Sequence, residues 1–177
     1  MKQIDNSIAR VRGAGNLNRS GILQFGHKLL PCSLGEGGIV ARKREGDGAT
    51  PVGNFRILYG FYRPDRIAHL SSRINLFPLK PDYGWCDDPA SRFYNQFVRL
   101  PFDCSHEKLW REDHLYDICL VLDYNISIRQ RNAGSAIFFH LKHHDNRPTQ
   151  GCVAISLEQM RKFLAQCAPH CQISVQL

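Results

Sequence analysis

The stretch that decides the fold is residues 136–164, which read AIFFHLKHHDNRPTQGCVAISLEQMRKFL. It opens with Ala136–Leu141, a mostly apolar run of the kind that forms a central strand of a sheet. A polar segment typical of a turn follows as far as Gln150. The next run, Cys152–Ile155, is short and apolar, and it predicts a second strand. The two predicted strands are therefore separated only by a turn.

The second half of the same stretch predicts the clearest helix in the chain. Ser156 and Gln159 have the spacing of a capping box, in which each side chain satisfies a backbone N–H at the start of the helix. The apolar residues that follow share one helical face: Leu157, Met160, Phe163, Leu164 and Cys167. Pro169 ends the helix, and Gln172–Gln176 predicts a closing strand.

The first half of the chain is divided by glycines into short apolar runs, a pattern typical of hairpins in an antiparallel sheet. These runs are Ile8–Val11, Gly21–Phe25, Ile39–Ala41 and Phe55–Tyr62. Gly46–Gly53 contains an Asp-Gly pair and predicts a hairpin loop. Asp117–Tyr124 is again mostly apolar and predicts another central strand. The sequence thus predicts a single, mainly β domain over residues 1–177, with one or two short helices.

Residues 63–110 interrupt this pattern with five prolines and little periodicity. A long segment of this kind in a compact domain is usually either functional or disordered. Its aromatic residues argue against disorder: Trp85, Phe93, Tyr94, Phe97 and Trp110. We therefore predict an ordered, loop-rich insertion.

The net charge and its distribution do not single out nucleic acid as the partner. The 177 residues include 23 lysines and arginines against 16 acidic residues, a formal charge of +7. Most of the basic residues are arginines scattered singly, which suits a small carboxylate-rich ligand as well as it suits a nucleic acid.

No run approaches the ~20 apolar residues that span a bilayer. The start lacks a secretory signal, which predicts a cytoplasmic location, or a periplasmic one if the protein is exported by another route.

The cysteine count argues against a disulfide framework. There are seven cysteines, so they cannot all pair within the chain. Together with the lack of a secretory signal, this favours reduced thiols, most of them buried as small apolar side chains.

His140 and Cys152 carry the most specific chemistry in the sequence. Gly151 lets the backbone turn sharply and present the Cys152 thiol, and a neighbouring imidazole would hold the sulfur as thiolate and later protonate a leaving amine. The amides of Gly151 and Cys152 would donate to an oxyanion. One alternative is a structural cysteine beside a histidine at a strand end. Another is a metal site, although the spacing of the candidate ligands fits no closed zinc site. Those ligands are His140, His143, His144, Asp145 and Cys152.

Five segments carry further motifs: 45–55 EGDGATPVGNF, 84–89 GWCDDP, 105–110 SHEKLW, 134–140 GSAIFFH and 149–153 TQGCV. In content and order they resemble the YkuD-type L,D-transpeptidase catalytic domain family, in particular its compact leaderless branch. The strongest element is a histidine followed by Ser/Thr-x-Gly-Cys, matched here by His140 and the segment 149–152. The likeness runs from about Gly35 to the C-terminus.

The resemblance implies a β-sandwich with a short helix, and acyl transfer on peptidoglycan stem peptides or muropeptides. Cys152 would attack the carbonyl of the L-centre of meso-diaminopimelate, form a thioester and release the next residue, usually D-Ala. His140 would act as general base and then acid, with its ring oriented by a backbone carbonyl. The amides of Gly151 and Cys152 would bind the oxyanion, and Thr149 would shape the turn. This chemistry implies no cofactor and no metal.

Two positions depart from the family pattern. Gln150 stands where the family often has histidine, and Ala154 stands where arginine or asparagine is common. An arginine elsewhere, Arg147 or Arg44, would then hold a substrate carboxylate, since a guanidinium suits bidentate geometry; a solvated surface arginine is the alternative for each. Three aromatic residues are candidates for the walls of a substrate groove or for core packing: Trp85, Tyr94 and Trp110.

Three functions follow from these residues. The first is an L,D-transpeptidase whose acceptor is an amine, which makes a cross-link. The second uses the same cysteine and histidine with water as the acceptor, which makes an L,D-carboxypeptidase of cytosolic peptidoglycan recycling. The third is a non-catalytic domain that binds peptidoglycan fragments or a metal.

Overall fold

The computed structural model describes residues 6–15 and 19–177, and this part of the chain is mainly β, as predicted. The strands are β1 (Ile8–Ala14), β2 (Ser20–Phe25), β3 (Lys28–Ser33), β4 (Ile39–Val40), β5 (Thr50–Pro51), β6 (Gly53–Tyr62), β7 (Leu76–Pro78), β8 (Tyr83–Cys86), β9 (Gln96–Arg99), β10 (His106–Lys108), β11 (Ile118–Leu122), β12 (Phe138–Leu141), β13 (Val153–Ile155) and β14 (Gln172–Gln176). The helix is α1 (Leu157–Gln166). Within the described residues, no helix has the length and apolar character needed to cross a membrane.

Nine strands form one mixed sheet in the order β11-β12-β13-β3-β2-β1-β14-β6-β7. The long strand β6 pairs with β14 through its first half and with β11 through its second half. The sheet therefore closes on itself between β11 and β6 and encloses a core. Three pairs are parallel, namely β1 with β14, β12 with β13 and β6 with β7, and the other pairs in this sheet are antiparallel. This confirms the prediction of mixed and antiparallel sheets.

The insertion, residues 63–110, is more regular than the sequence indicated. Strands β10, β8 and β9 form an antiparallel sheet in that order, and β7 pairs with β6 at the edge of the main sheet. Each strand of the small sheet has only three or four residues. Such short strands show no clear alternation of apolar and polar residues, which is why the sequence did not reveal them.

The predicted hairpin around Gly46 is wrong. The flanking strands β4 and β5 pair in parallel, which requires a crossover connection rather than a tight turn. Asp47 closes this loop, since its side chain accepts hydrogen bonds from the backbone amides of Arg44 and Ala49 at 2.7 and 2.8 Å.

The helix α1 covers the core that the main sheet encloses. Its predicted capping box is present: the Ser156 hydroxyl accepts from the Gln159 amide at 3.3 Å, and the Gln159 side chain accepts from the Ser156 amide at 3.0 Å. The Phe163 ring lies 4.8 Å from that of Phe25 and 5.2 Å from that of Phe139, measured between centroids. The apolar face of the helix is thus packed against both β2 and β12.

Strand β12 separates two apolar cores. Phe139 packs into the core inside the main sheet, whereas Phe138 packs into a second core shared with the insertion. In the second core the Trp85 ring stands edge-on to Phe138, with centroids 5.2 Å apart. Successive side chains of a strand point to opposite faces, so His140 shares the face of Phe138. Cys152 also belongs to the second core. The two predicted catalytic residues therefore lie on the side of β12 that the insertion covers.

Candidate active site

Cys152 follows a turn that requires glycine. Gly151 has φ of +126°, and a Cβ at this position would lie 2.8 Å from the carbonyl oxygen of Ala49. The Thr149 hydroxyl donates to the Cys152 carbonyl at 2.7 Å and accepts from the Gly151 amide at 3.2 Å. Thr149 thus holds the turn in place. Since the Gly151 amide is engaged in this bond, the Cys152 amide is the remaining one of the two predicted oxyanion donors.

The thiol of Cys152 is held by the backbone that leads into β12. Its Sγ donates to the Ala136 carbonyl and accepts from the Phe138 amide, both at 3.2 Å. Burial raises the pKa of Cys152 to about 12, and the nearby Glu107 carboxylate is a further cause of this increase. Burial therefore favours the protonated thiol over a resting thiolate.

Asn95 fixes the segment that accepts the thiol hydrogen. Ala136 has φ of 51°, which is uncommon for a residue with a side chain. The Asn95 Oδ1 accepts from the Ala136 amide at 3.0 Å and from the Trp85 indole at 2.9 Å, while its Nδ2 donates to the Tyr124 carbonyl at 3.1 Å. The insertion therefore supports the site through a buried hydrogen-bond network.

His140 lies on β12 with one ring nitrogen already bonded. Its Nδ1 lies 2.8 Å from the Leu141 carbonyl, the kind of backbone partner that the resemblance implied. A carbonyl only accepts, so Nδ1 carries the hydrogen and Nε2 is left as the basic nitrogen. Burial lowers the pKa of His140 to about 4. The imidazole is neutral at physiological pH, and its ring stands edge-on to Tyr116 at 5.1 Å.

Cys152 and His140 line the same cavity, which has a volume of about 770 Å³. The insertion and the loop before β11 contribute Asp87, Glu107 and Arg111 to its walls, and the loop between β4 and β5 contributes Lys43. The Lys43 side chain is only 4% exposed and forms an ion pair with Asp47. The cavity therefore presents buried groups of both signs to a bound molecule.

Glu107 is linked to His140 through an aromatic ring. Its Oε1 accepts from the Tyr116 hydroxyl at 2.6 Å and lies 3.4 Å from an Arg111 nitrogen. Arg111 is held by a bidentate pair with Asp113, at 2.9 and 2.6 Å. Burial raises the pKa of Glu107 above its usual range, although the Tyr116 hydrogen bond opposes this. The Tyr116 side chain therefore contacts both groups, the carboxylate through its hydroxyl and the His140 imidazole through its ring.

The comparison with protein families matches residues 18–175 to the YkuD family, described as the L,D-transpeptidase catalytic domain. The chain belongs to the YkuD family. The YkuD domain is similar to Bd1075 of Bdellovibrio bacteriovorus, with a TM-score of 0.47 and 14% identity over 98% of this chain and 48% of that one. It is also similar to L,D-transpeptidase 1 of Mycobacterium tuberculosis, with a TM-score of 0.42 and 10% identity over 95% of this chain and 60% of that one. The comparison with curated proteins gave no match. The chain spans about half the length of the first of these structures and three-fifths of the second.

The two arginines predicted to bind substrate occupy different places in the YkuD domain. Arg147 lines the cavity, with its side chain 58% exposed and 3.9 Å from Asp145. Arg44 is exposed and does not line the cavity; its backbone amide donates to Asp47. Arg147 is therefore in position to reach a ligand, and Arg44 fits the alternative of a solvated arginine.

The interpretation of Trp85 and Tyr94 as groove walls is wrong, because each is only 2% exposed. Trp85 packs on Phe138 and donates its indole N–H to Asn95. The Tyr94 hydroxyl donates to the Glu45 carboxylate and accepts from a backbone amide. Both residues hold the insertion against the rest of the YkuD domain, which is the packing alternative.

Sequence reasoning missed most of the charged groups of the cavity. Asp87 and Glu107 each lie in a family motif that does not mark them as charged groups of a site, and nothing in the sequence marks Lys43 or Arg111. These side chains come from different strands and loops, so no local spacing brings them together. The motif SHEKLW at 105–110 is the one available pointer to Glu107.

The alternative of a metal site is not supported by a set of ligands in the described residues. Among residues 6–15 and 19–177, no group of three or more His, Cys, Asp or Glu side chains is placed to hold a metal ion. His140 already uses Nδ1 for a backbone carbonyl.

Proposed function

We propose that this YkuD domain is a cysteine peptidyltransferase that acts on peptidoglycan stem peptides through a thioester on Cys152. The supporting observation is that the Cys152 thiol and the His140 imidazole line one cavity, with Nε2 of His140 left as the basic nitrogen. Family membership supports the same class of reaction.

The first half-reaction forms the thioester. The Cys152 sulfur attacks the carbonyl of the L-centre of meso-diaminopimelate as its proton moves to Nε2 of His140. The C–S bond forms, the C–N bond to D-Ala breaks, and His140 returns the proton to the leaving amine. Both groups rest in their neutral forms, because their pKa values of about 12 and about 4 lie on either side of neutrality. Proton transfer therefore accompanies attack, with the Cys152 amide as the proposed oxyanion donor.

The second half-reaction determines the product. We favour an amine as the acceptor, which gives a cross-link, because the cavity contains the carboxylates Asp87 and Glu107. With water as the acceptor, the same thioester would be hydrolysed and the protein would be an L,D-carboxypeptidase.

Release of D-Ala from a disaccharide-tetrapeptide tests the proposal. We expect the purified domain to release D-Ala and to gain the mass of the acylated tripeptide. Cys152→Ala should abolish both, whereas Cys119→Ala, which removes another thiol of the same core, should retain release. Continued release by Cys152→Ala, or loss in both variants, would rule out Cys152 as the specific nucleophile.

Addition of a second stem peptide separates the two acceptors. If an amine is used, mass spectrometry will detect a dimer that grows at the expense of the hydrolysed tripeptide. If only the tripeptide forms at every acceptor concentration, water is the acceptor.

A further inference from the structure

One wall of the cavity carries two carboxylates on the same face of the small sheet. Glu107 of β10 pairs with Trp85 of β8, and Asp87 follows two residues after Trp85. The pairing continues past the strand end, since the Asp87 amide donates to the Ser105 carbonyl at 3.3 Å. Residues two apart on a strand share a face, so Asp87 and Glu107 are diagonal neighbours within reach of one ligand.

Both carboxylates keep acceptor oxygens that the described part of the protein does not use. The bonds to Glu107 end on Oε1, from Tyr116 and Arg111, and none reaches Oε2. Asp87 Oδ1 is buried and has no hydrogen-bond partner among the described residues. An unpaired buried carboxylate oxygen is costly, so a bound donor would gain a favourable contact here.

A second observation also points to a ligand in this cavity. Ser135 lines it and is only 7% exposed; its hydroxyl interacts with the Tyr94 hydroxyl but makes no hydrogen bond of normal geometry within the described ranges. Buried polar side chains are normally satisfied, so this one is available to a bound molecule. It directly precedes Ala136, whose carbonyl accepts the thiol hydrogen.

We infer that Asp87 and Glu107 form the subsite that binds the ammonium group of the acceptor peptide. The inference rests on the proposed function and adds which residues recognise the second substrate. An ammonium has three N–H donors and a positive charge, which matches two carboxylates with free oxygens. Arg111 also lines the cavity, 3.4 Å from Glu107 Oε1, but its guanidinium is held by the bidentate pair with Asp113. The oxygens that remain for a cation are Oε2 of Glu107 and Oδ1 of Asp87.

The subsite also supplies a route for the acceptor's protons. One ammonium proton passes to the Glu107 carboxylate and later to solvent. The neutral amine attacks the thioester carbonyl, and the C–N bond forms as the C–S bond breaks. His140 carries the second amine proton to the Cys152 sulfur, which restores the thiol. The raised pKa of Glu107 favours its temporary protonation.

The ratio of cross-linked to hydrolysed product tests this subsite. Both products arise from the same thioester, and only transfer requires the acceptor's ammonium. We expect Asp87→Asn to lower this ratio about tenfold through a higher acceptor KM, because it removes one charge-assisted hydrogen bond. Glu107→Gln should lower it at least as much, through a higher acceptor KM and a lower kcat of transfer, because the amide cannot take the ammonium proton. Asp88→Asn is the matched control, since Asp88 caps a turn through the Ala90 amide and does not line the cavity. An unchanged ratio in both cavity variants would overturn the subsite, as would wild-type protein that hydrolyses the donor but never transfers it.

A binding measurement separates failure of the subsite from failure of the proposed function. In the Cys152→Ala background, calorimetry with a tripeptide that ends in meso-diaminopimelate needs no turnover. Asp87→Asn should weaken binding about tenfold, and acetylation of the side-chain amine should weaken it to a similar extent. If wild-type protein releases no D-Ala but this pattern holds, the reaction is wrong and the subsite stands. Equal binding of the acetylated and free peptides excludes the subsite, whatever the activity.

Discussion

The chemistry proposed for this site depends on two buried groups, and burial favours the neutral form of each. Burial raises the pKa of Cys152 to about 12 and lowers that of His140 to about 4. A thiol and an imidazole can instead rest as an ion pair when a nearby cation or helix N-terminus stabilises the thiolate. Here the thiol is bonded to the Ala136 carbonyl, which accepts from the protonated form. In the proposed reaction the nucleophile is therefore generated during attack.

This state predicts the pH dependence of donor turnover. Since His140 acts as a base only when neutral, and its pKa is about 4, we expect kcat/KM for D-Ala release to stay level from pH 8 down to about pH 5. An exposed histidine would instead impose an acid limb near pH 6.5. Initial rates across this range, on protein shown by circular dichroism to stay folded, provide the measurement. A midpoint near 6.5 would contradict the neutral buried imidazole.

The lowered pKa of His140 also predicts that the free energy of unfolding depends on pH. The His140 pKa falls from its ordinary value of 6.5 to about 4 in the fold, so between these values the unfolded chain binds more protons. The stabilisation is complete above pH 6.5 and is lost as the pH falls towards 4, by at most about 1.4 kcal/mol per pH unit. Urea unfolding at pH 7 and pH 4.5 should show a smaller loss for His140→Gln than for wild type. Equal losses in the two proteins would mean that His140 does not contribute.

At the scale of elements, the insertion and β12 are connected by Asn95. Its buried side chain makes three hydrogen bonds, and its own φ of 56° is one that asparagine tolerates better than most residues. We expect Asn95→Ala to lower the free energy of unfolding by about 2–4 kcal/mol, since it strands buried donors and adds backbone strain. Iodoacetamide should also alkylate Cys152 at a different rate, because the Ala136 carbonyl loses its support.

Asn95→Gly separates the two causes. Glycine adopts the positive φ without strain but makes none of the side-chain bonds, so any loss that remains belongs to the hydrogen bonds. If both variants unfold at the wild-type urea concentration, the network does not support the site.

Elements with a strong local pattern could be predicted from the sequence, and those defined by pairing could not. The bounds of β14 were predicted as found, and α1 begins at its predicted capping box because both signals are local. The strands of the small sheet have too few residues for periodicity and are formed by contacts with the second core. The β4–β5 pair was mistaken for a hairpin because an Asp-Gly turn fits either connection.

The candidate site likewise contains residues that the sequence identifies and residues that it does not. His140 and Cys152 lie at the ends of one continuous stretch, so a motif identifies them. Asp87 and Glu107 become neighbours only through the register of β8 with β10, and no spacing in the sequence encodes that register. The sequence also does not give the partners of Trp85. An aromatic residue fits a groove wall or a core equally well until its partners are known, so Trp85 was considered for a groove wall.

At the scale of the whole molecule, the two apolar cores on either side of β12 have different tasks. Phe139 belongs to the core that holds the main sheet and α1 together, and Phe138 belongs to the core that joins the insertion to the sheet beside Cys152. Both side chains are almost fully buried, at 0% and 1% exposure. They are adjacent, chemically identical and on opposite faces, so they form a matched pair for separating global stability from integrity of the site.

We expect Phe138→Ala and Phe139→Ala each to reduce the free energy of unfolding by about 3–5 kcal/mol, because each leaves a cavity in a packed core. Only Phe138→Ala removes the ring that Trp85 and Tyr116 contact, so only this variant should loosen the insertion over the thiol. Under native conditions, iodoacetamide should therefore alkylate Cys152 faster in Phe138→Ala than in Phe139→Ala, as followed by mass spectrometry of the Cys152 peptide. Equal rates in two variants of equal stability would show that the thiol is exposed by global unfolding. The insertion would then not act as a separate cover of the site.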